Sequence, residues 1–177
     1  MTYKKISTFA KVRRGASPRP IEDPKYFGGN VGWVRIADVT ASNKYLQATT
    51  QYLSPLGEKF SVRVDKGDLV MSIAGTVGRP ILIDMPACIH DGFVQIYDMQ
   101  DTDPEYLYYY LKSVEESLKS VGQSGTQTNL NTRIVSNIAV YHPDKPIQQK
   151  IAEILATIDR AIAQTEALIA KHKRIKT

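Results

Sequence analysis

Few side chains in this 177-residue sequence have the chemistry of catalysis, and they are scattered. Its histidines are His90, His142 and His172. No H-x-x-x-H or H-E-x-x-H spacing occurs, so the pattern of a zinc hydrolase is missing. The stretch "ACIHDG" sets Cys88 beside His90, a combination that could form a nucleophile pair. Cysteine is among the most buried residue types, so core or turn positions are the simpler expectation. Asp84, Asp91, Asp98, Asp101 and Asp103 read mostly as turn residues, with no basis for pairing two as acid and base. The stretch "GDLVMSIAGTVGRP" (Gly67 to Pro80) holds three glycines, Thr76 and Arg79. It could cradle a phosphate, yet it lacks the Walker lysine. Pro80 and "ILID" continue it as a strand, so no helix N-terminus is offered. A methyltransferase [DN]-P-P-[FY] motif does not appear.

What remains is polar and carried by loops: "RRGASPRP" (Arg13 to Pro20), "AGTVGR" (Ala74 to Arg79) and "QSGTQTNLN" (Gln123 to Asn131). Arginine reads guanine edges, Asn and Gln read adenine, and hydroxyls and glycine amides contact phosphates. Charge is distributed accordingly. The net charge is +5, with seven Lys/Arg against Glu22 and Asp23 in residues 1–25. Lys171, Lys173, Arg174 and Lys176 close the chain, and the middle is mildly acidic. Basic ends imply an anionic partner, most often nucleic acid, or simply a solvated surface.

These loops need a scaffold. Hydrophobic residues at 42% and charged residues at 23% give a globular composition. No apolar run is long enough for a membrane span, no signal peptide is read, and one cysteine excludes an internal disulfide. The expectation is a cytoplasmic protein without a membrane partner. "GWVRIADV" (Gly32 to Val39) alternates as a strand, and Tyr45 to Leu53 is a strand or short helix. "DLVMSIAG", "RPILIDMP" and "GFVQIYDM" are short strands joined by turns. A helix starts at Asp103–Pro104 and stops at Gly122, with Glu115–Lys119 as an i,i+4 pair and Tyr108 and Tyr109 partly on outer faces. "RIVSNIAVYHP" returns to strand. The fold class is thus α+β: a compact domain built on a twisted sheet of short strands with a few helices, then one long amphipathic helix.

That last helix begins near Pro146. Ile151, Leu155, Ile158, Ile162 and Ile169 step by helical spacing, continued by Thr165 and His172, and Ile147, Ile154, Ala161, Leu168 and Ile175 flank them. From Ile147 to Thr177 it would span roughly 45 Å, more than the globular part needs for its own core. The stripe implies a partner helix, from a second copy or from a second half of a longer chain.

Taken together, "RRGASPRP", "GWVRIADV", "GDLVMSIAGTVGRPILI" and the lead-in from Pro143 or Pro146 through Gln149 to Leu155 resemble one repeat of the specificity subunit of Type I restriction–modification systems. The resemblance covers nearly the whole chain. It implies residues 1–143 as a target-recognition domain and 144–177 as a coiled-coil helix for pairing, spacing and subunit docking. It implies reading of half of a bipartite site in double-stranded DNA, and no catalysis by the chain itself. Methylation and restriction would fall to a modification subunit carrying S-adenosylmethionine and to a restriction subunit, with a second copy or repeat paired through the long helix. The full family pattern has two repeats; this sequence has one.

On that basis Arg13, Arg14, Ser17 and Arg19 are candidates for backbone and groove contacts. Thr76, Arg79, Gln123, Ser124, Thr126, Gln127 and Asn129 are candidates for the recognition surface. Ile151, Leu155, Ile158, Ile162 and Ile169 are the helix-pairing candidates. Three rivals stand beside this reading. They are the recognition portion of a fused restriction–methylase, a small α+β enzyme using Cys88 and His90 or the Gly-rich turn, and a coiled-coil adaptor whose globular part binds protein.

Overall fold

The computed structural model describes residues 2–123 and 130–175. The chain opens with β1 (Tyr3–Lys5), a 3-10 turn over Ile6–Thr8, and β2 (Lys11–Arg14). Asp23 caps a second 3-10 turn, Pro24–Tyr26, which feeds β3 (Phe27–Val34). Then follow α1 (Ile36–Ala41), β4 (Tyr45–Leu46), β5 (Tyr52–Leu53), α2 (Pro55–Glu58) and β6 (Val62–Val64). The apolar runs form β7 (Leu69–Ser72), β8 (Pro80–Ile83), β9 (Ala87–Ile89) and β10 (Phe93–Tyr97). The chain ends with α3 (Pro104–Ser113), α4 (Glu115–Gln123), α5 (Thr132–Ser136), β11 (Ala139–Tyr141) and α6 (Lys145–Ile175).

The described residues form three sheets. The largest has the order β2-β10-β7-β8-β4, a second β5-β3-β9-β6, and β1 pairs with β11. Both faces of the largest sheet are covered. Leu69, Met71, Leu82, Val94 and Ile96 pack with Tyr106, Leu107 and Leu111 of α3 and with Val135 of α5. On the opposite face, Val70, Ile81, Ile83 and Phe93 pack with Val34, Val64 and Ile89 of the second sheet. A strand buried on both faces reads as a continuous apolar run, which is why "LVM" and "ILI" do not alternate. The α+β expectation therefore holds, with the sheet of short strands divided in three.

Four local expectations differ. The "GWVRIADV" strand ends at Val34, and Ile36–Ala41 is helical. The buried Asp38 carboxylate decides this: Oδ2 accepts from Arg35 N at 2.9 Å and Oδ1 from Thr50 N at 2.9 Å. A carboxylate at the third helical position that bonds back to the cap is a helix-start signal, and it overrides the alternation. Tyr45–Leu53 divides into β4 and β5, which join different sheets. The helix from Pro104 breaks at Val114 and its second part runs through Gly122 to Gln123. Buried Glu115, paired with Lys112 at 2.6 Å and Lys119 at 3.2 Å, sits directly after the break. "RIVSNIAVYHP" begins as helix α5, because Asn131 Oδ1 accepts from Ile134 N at 2.9 Å.

Tyr108 is buried rather than outward, and Tyr109 is half-buried. The Lys44 ammonium lies 4.4 Å from the Tyr109 ring centroid and pairs with Glu105, while Tyr109 Oη donates to Asp159 Oδ2 of α6 at 2.7 Å. Its opening turns dock the long helix firmly. Gln148 is fully buried, accepting from Asp103 N at 2.9 Å and donating to Pro143 O at 2.7 Å and Asp101 O at 3.1 Å.

Candidate nucleic-acid interface

Strand register sets one margin of the largest sheet. Val94 lies opposite Arg14, Phe93 opposite Ser72, and Met71 opposite Pro80. The ends of β2 and β7 and the starts of β8 and β10 therefore fall along the same edge. Gly15 N donates to Phe93 O at 2.9 Å and Ile73 N to Gly92 O at 2.8 Å. Leu130 N donates to Ile73 O at 3.0 Å, bringing the chain back to this margin just before α5. The first two loops singled out in the sequence, and Leu130 at the end of the third, thus adjoin one edge. Ser124, Thr126, Gln127 and Asn129 lie outside the described residues, and Gln123 is the last residue of α4.

The basic segment is organised around the loop between β9 and β10. Arg14 Nε donates to Asp91 O at 2.7 Å, Ser17 Oγ to Asp91 Oδ1 at 2.8 Å, and Arg19 Nη2 meets Asp91 Oδ2 at 3.1 Å. Burial pushes the Asp91 carboxyl up, but the Ser17 hydroxyl and Arg19 outweigh it and hold it below its usual range. Close approach is essential: a Cβ on Gly15 would stand 2.2 Å from His90 O. Arg13 is held separately, with Nε donating to Gln95 Oε1 at 2.6 Å and its guanidinium 4.9 Å from the Tyr97 ring. Arg13, Arg14 and Arg19 all remain exposed. The structure brings Arg14, Ser17 and Arg19 together and sets Arg13 beside them on β2.

The Gly-rich turn is closed on itself. Gly75 (φ 69°) and Gly78 (φ 83°) take left-handed backbone, which favours glycine. Gly78 N donates to Ser72 O at 2.8 Å, Arg79 N to Ser72 Oγ at 3.2 Å, Val77 N to Gly75 O at 3.0 Å, and Ser72 Oγ to Thr76 O. These amides are engaged within the turn, so they form no open phosphate cradle. Thr76 Oγ1 lies 3.4 Å from Thr40 Oγ1. Arg79 is half-buried and donates to Ser42 O at 2.9 Å, and it borders an open cleft of about 560 Å³ facing Asp159 and Arg160 of α6.

Cys88 and His90 do not form an activated pair. Cys88 is fully buried on β9, and burial pushes its thiol up to about 11, so it stays protonated. His90 Nδ1 accepts from Gly92 N at 2.8 Å, and burial holds its pKa below the ordinary value. Sequence reasoning missed Arg35. It follows β3 next to His90, stacked 4.9 Å over the Trp33 ring, with Nη1 donating to Gln51 Oε1 at 2.7 Å. Its signal was the Asp three residues later, which marks Arg35 as a helix-capping position rather than mid-strand.

On α6, Ile151 is half-buried against the core and Leu155 is half-buried, whereas Ile158, Ile162 and Ile169 are about half exposed. Ile147, Ile154 and Leu168 are equally open. The glutamine that the structure uses in the lead-in is Gln148, not the exposed Gln149.

The family model described as Type I restriction modification DNA specificity domain matches residues 1–174, and the chain belongs to that family. A curated relative, the Type I restriction enzyme MjaIX specificity subunit of Methanocaldococcus jannaschii, is 26% identical over 165 residues, which cover 90% of this chain and 38% of the relative. The crystal structure of the HsdS subunit from Thermoanaerobacter tengcongensis superposes with a TM-score of 0.72 at 17% identity, over 92% of this chain and 38% of that one. A structure from work on complex assembly and conformational transition of the type I R-M system gives 0.77 at 18% identity, over 96% and 41%. The chain thus spans about two-fifths of the length of these relatives.

Proposed function

We propose that this chain is a DNA-reading specificity component of a Type I restriction–modification system that recognises half of a bipartite site and carries out no chemistry itself. The observation that supports this best is the shared sheet margin, where the exposed Arg14 and Arg19 and the turn after β7 adjoin. Basic side chains at a rigid edge can track a phosphate backbone while neighbouring polar side chains read bases. Residues 1–143 form the recognition part in this reading, and residues 144–177 the spacing and docking helix. Arg13, Arg14, Ser17 and Arg19 serve backbone and groove contacts. Thr76, Arg79, Gln123, Ser124, Thr126, Gln127 and Asn129 contribute to the recognition surface. The half-exposed Ile158, Ile162 and Ile169 meet a second helix, from another copy or another repeat. Methyl transfer and cleavage belong to the modification and restriction subunits, and the assembly works in the cytoplasm on double-stranded DNA.

Mapping methylated sites in cells carrying the complete system, with and without this chain, tests the proposal. A bipartite motif that disappears on deletion is the expected result. A methylation pattern unaffected by deletion overturns it.

A further inference from the structure

Arg35 is held differently from most arginines near the margin. Arg13 shares a neutral bracing, by Gln95 and the Tyr97 ring, but its Nη2 is also committed to Arg63 O at 3.1 Å, and Arg14 Nε is committed to the Asp91 carbonyl. Arg19 is paired with Asp91, and Arg63 with Glu58 and Asp65. Arg79 is spent on a backbone carbonyl. Arg35 has no ion pair to a carboxylate among the described residues; its side chain is instead braced by neutral groups. The Trp33 ring supports one face of the guanidinium, and Gln51 Oε1 accepts from Nη1 at 2.7 Å. A guanidinium held this way keeps its charge, its plane and further N–H donors for a ligand.

The support reaches into the core. Trp33 is fully buried, and its backbone N donates to Gln51 O at 2.8 Å. Thr49 Oγ1 donates to the same carbonyl at 2.9 Å. Buried Asp38 ties the backbone at Arg35 to that at Thr50. Both segments that carry the Arg35–Gln51 pair are therefore fixed by buried groups behind it. Such bracing lowers the ordering cost of binding and gives the pair a defined direction.

Arg35 and Gln51 together border two open depressions, one of about 510 Å³ with Glu22 and Phe27, the other of about 650 Å³ with Thr50 and His90. His90 connects this spot with Asp91 and hence with Arg14 and Arg19. The Arg35 site is thus continuous with the exposed basic segment, and Arg35 is more enclosed than Arg13, Arg14 and Arg19 within it.

We infer that Arg35 is a base-reading residue that donates its guanidinium fork to the N7 and O6 acceptors of a guanine in the major groove, with Gln51 as the positioning residue that holds its plane. Two adjacent acceptors on one base edge match an arginine fork and no other single base edge does so. This inference rests on the DNA-reading role proposed above and assigns one base pair of the recognised half-site.

The test maps the methylated motif in cells carrying the complete system with Arg35→Ala, Arg35→Lys or Gln51→Ala in this chain. The expected result is one guanine-containing base pair becoming degenerate in both Arg35 variants, with discrimination there falling roughly 10- to 100-fold and the other positions kept. Gln51→Ala should relax the same base pair less. A motif unchanged at every position, at whatever methylation level, overturns the inference. So does Arg35→Lys retaining the full guanine preference, or loss of all methylation in all three variants. Failure of the broader proposal gives a separate result: the motif then survives deletion of the chain itself.

Discussion

Two adjacent glutamines at the start of α6 allow a strict test of how the helix is anchored. Gln148 is fully buried and Gln149 is exposed. Replacing Gln148 by Leu keeps the volume and removes three hydrogen bonds, to Asp103 N, Asp101 O and Pro143 O. The Asp103 amide begins the residue that caps α3, so its donor is left buried without an acceptor. At about 1–3 kcal/mol for a buried group left unsatisfied, and less for carbonyls that keep a second lone pair, the loss is about 2–4 kcal/mol. For a chain of this size that lowers Tm by roughly 5–15 °C. Gln149→Leu, the internal control, should stay within about 0.5 kcal/mol. Gln148→Glu provides the sign. It still accepts from Asp103 N but turns a carboxylate toward two carbonyl oxygens. Its folded pKa is therefore raised, its cost is greatest at neutral pH, and stability recovers as pH falls through that raised pKa. Thermal melts of the purified chain followed by circular dichroism read all three variants. Equal Tm values for Gln148→Leu and Gln149→Leu would refute the anchoring role.

Ile158→Glu and Ile162→Glu should leave Tm within about 2 °C, because both side chains are already half exposed, while abolishing any helix-mediated association seen by sedimentation. Identical sedimentation of wild type and variants across concentration counts against pairing through this stripe. Arg14→Ala in the assembled complex should weaken binding to all duplexes alike and flatten the slope of log K against log salt by about 1. A loss confined to the cognate site would mark Arg14 as a base reader instead. Asp91→Asn removes a negative charge from between Arg14 and Arg19, so non-specific duplex binding measured by anisotropy should tighten and grow more salt-dependent. Because its folded pKa is depressed, the stability Asp91 contributes is present above its unfolded pKa near 4 and fades as pH falls through the lower folded value. An unchanged acid limb in the Asn variant would contradict that contribution.

The parts of this fold that could be read from sequence are those where one local signal acts alone. Pro104 after Asp103, the apolar stripe of α6 and the glycines flanking Thr76 each specify their element without help from elsewhere. Legibility failed where a distant partner decides. Alternation around Trp33 suggested a strand to Val39, but the Asp38 carboxylate bonds forward to Thr50 as well as back to Arg35, and no spacing rule reveals that second bond. Tyr108 and Tyr109 looked outward because a helical wheel cannot know that Lys44 and Asp159 will cover them. The basic character of the Arg13–Pro20 loop was legible from sequence, yet its fixation by Asp91, some seventy residues away, was not. Arg35 stayed hidden for a related reason. What singles it out is that Trp33 and Gln51 fix its plane while most of its N–H donors stay unspent, which is a property of packing.

The direction in which α6 leaves the domain follows from two of these contacts. Gln148 holds its first turn at the end of the sheet where β10 runs out toward Asp101 and Asp103, the end remote from the arginine margin. Eleven residues further along, Asp159 is held by Tyr109 of α3, about 16 Å up the helix axis. Two anchors on one rigid rod fix its direction, whereas one would leave it free to swing. From Thr157 to Arg174 the residues of α6 are uniformly exposed. The margin carrying Arg14, Arg19 and Arg35 therefore has a set orientation relative to the exposed isoleucines. A reader of half-sites separated by a fixed spacer needs that property, because a pair of such helices can hold two reading edges in register only if each edge is rigid with respect to its own helix. Weakening the second anchor alone, as Asp159→Ala would, should cost about 1 kcal/mol or less in stability for an exposed hydrogen bond. If helix direction sets spacing, the same variant should broaden the tolerated spacer between half-sites; a spacer preference as narrow as that of the wild type would show that the Gln148 anchor is sufficient.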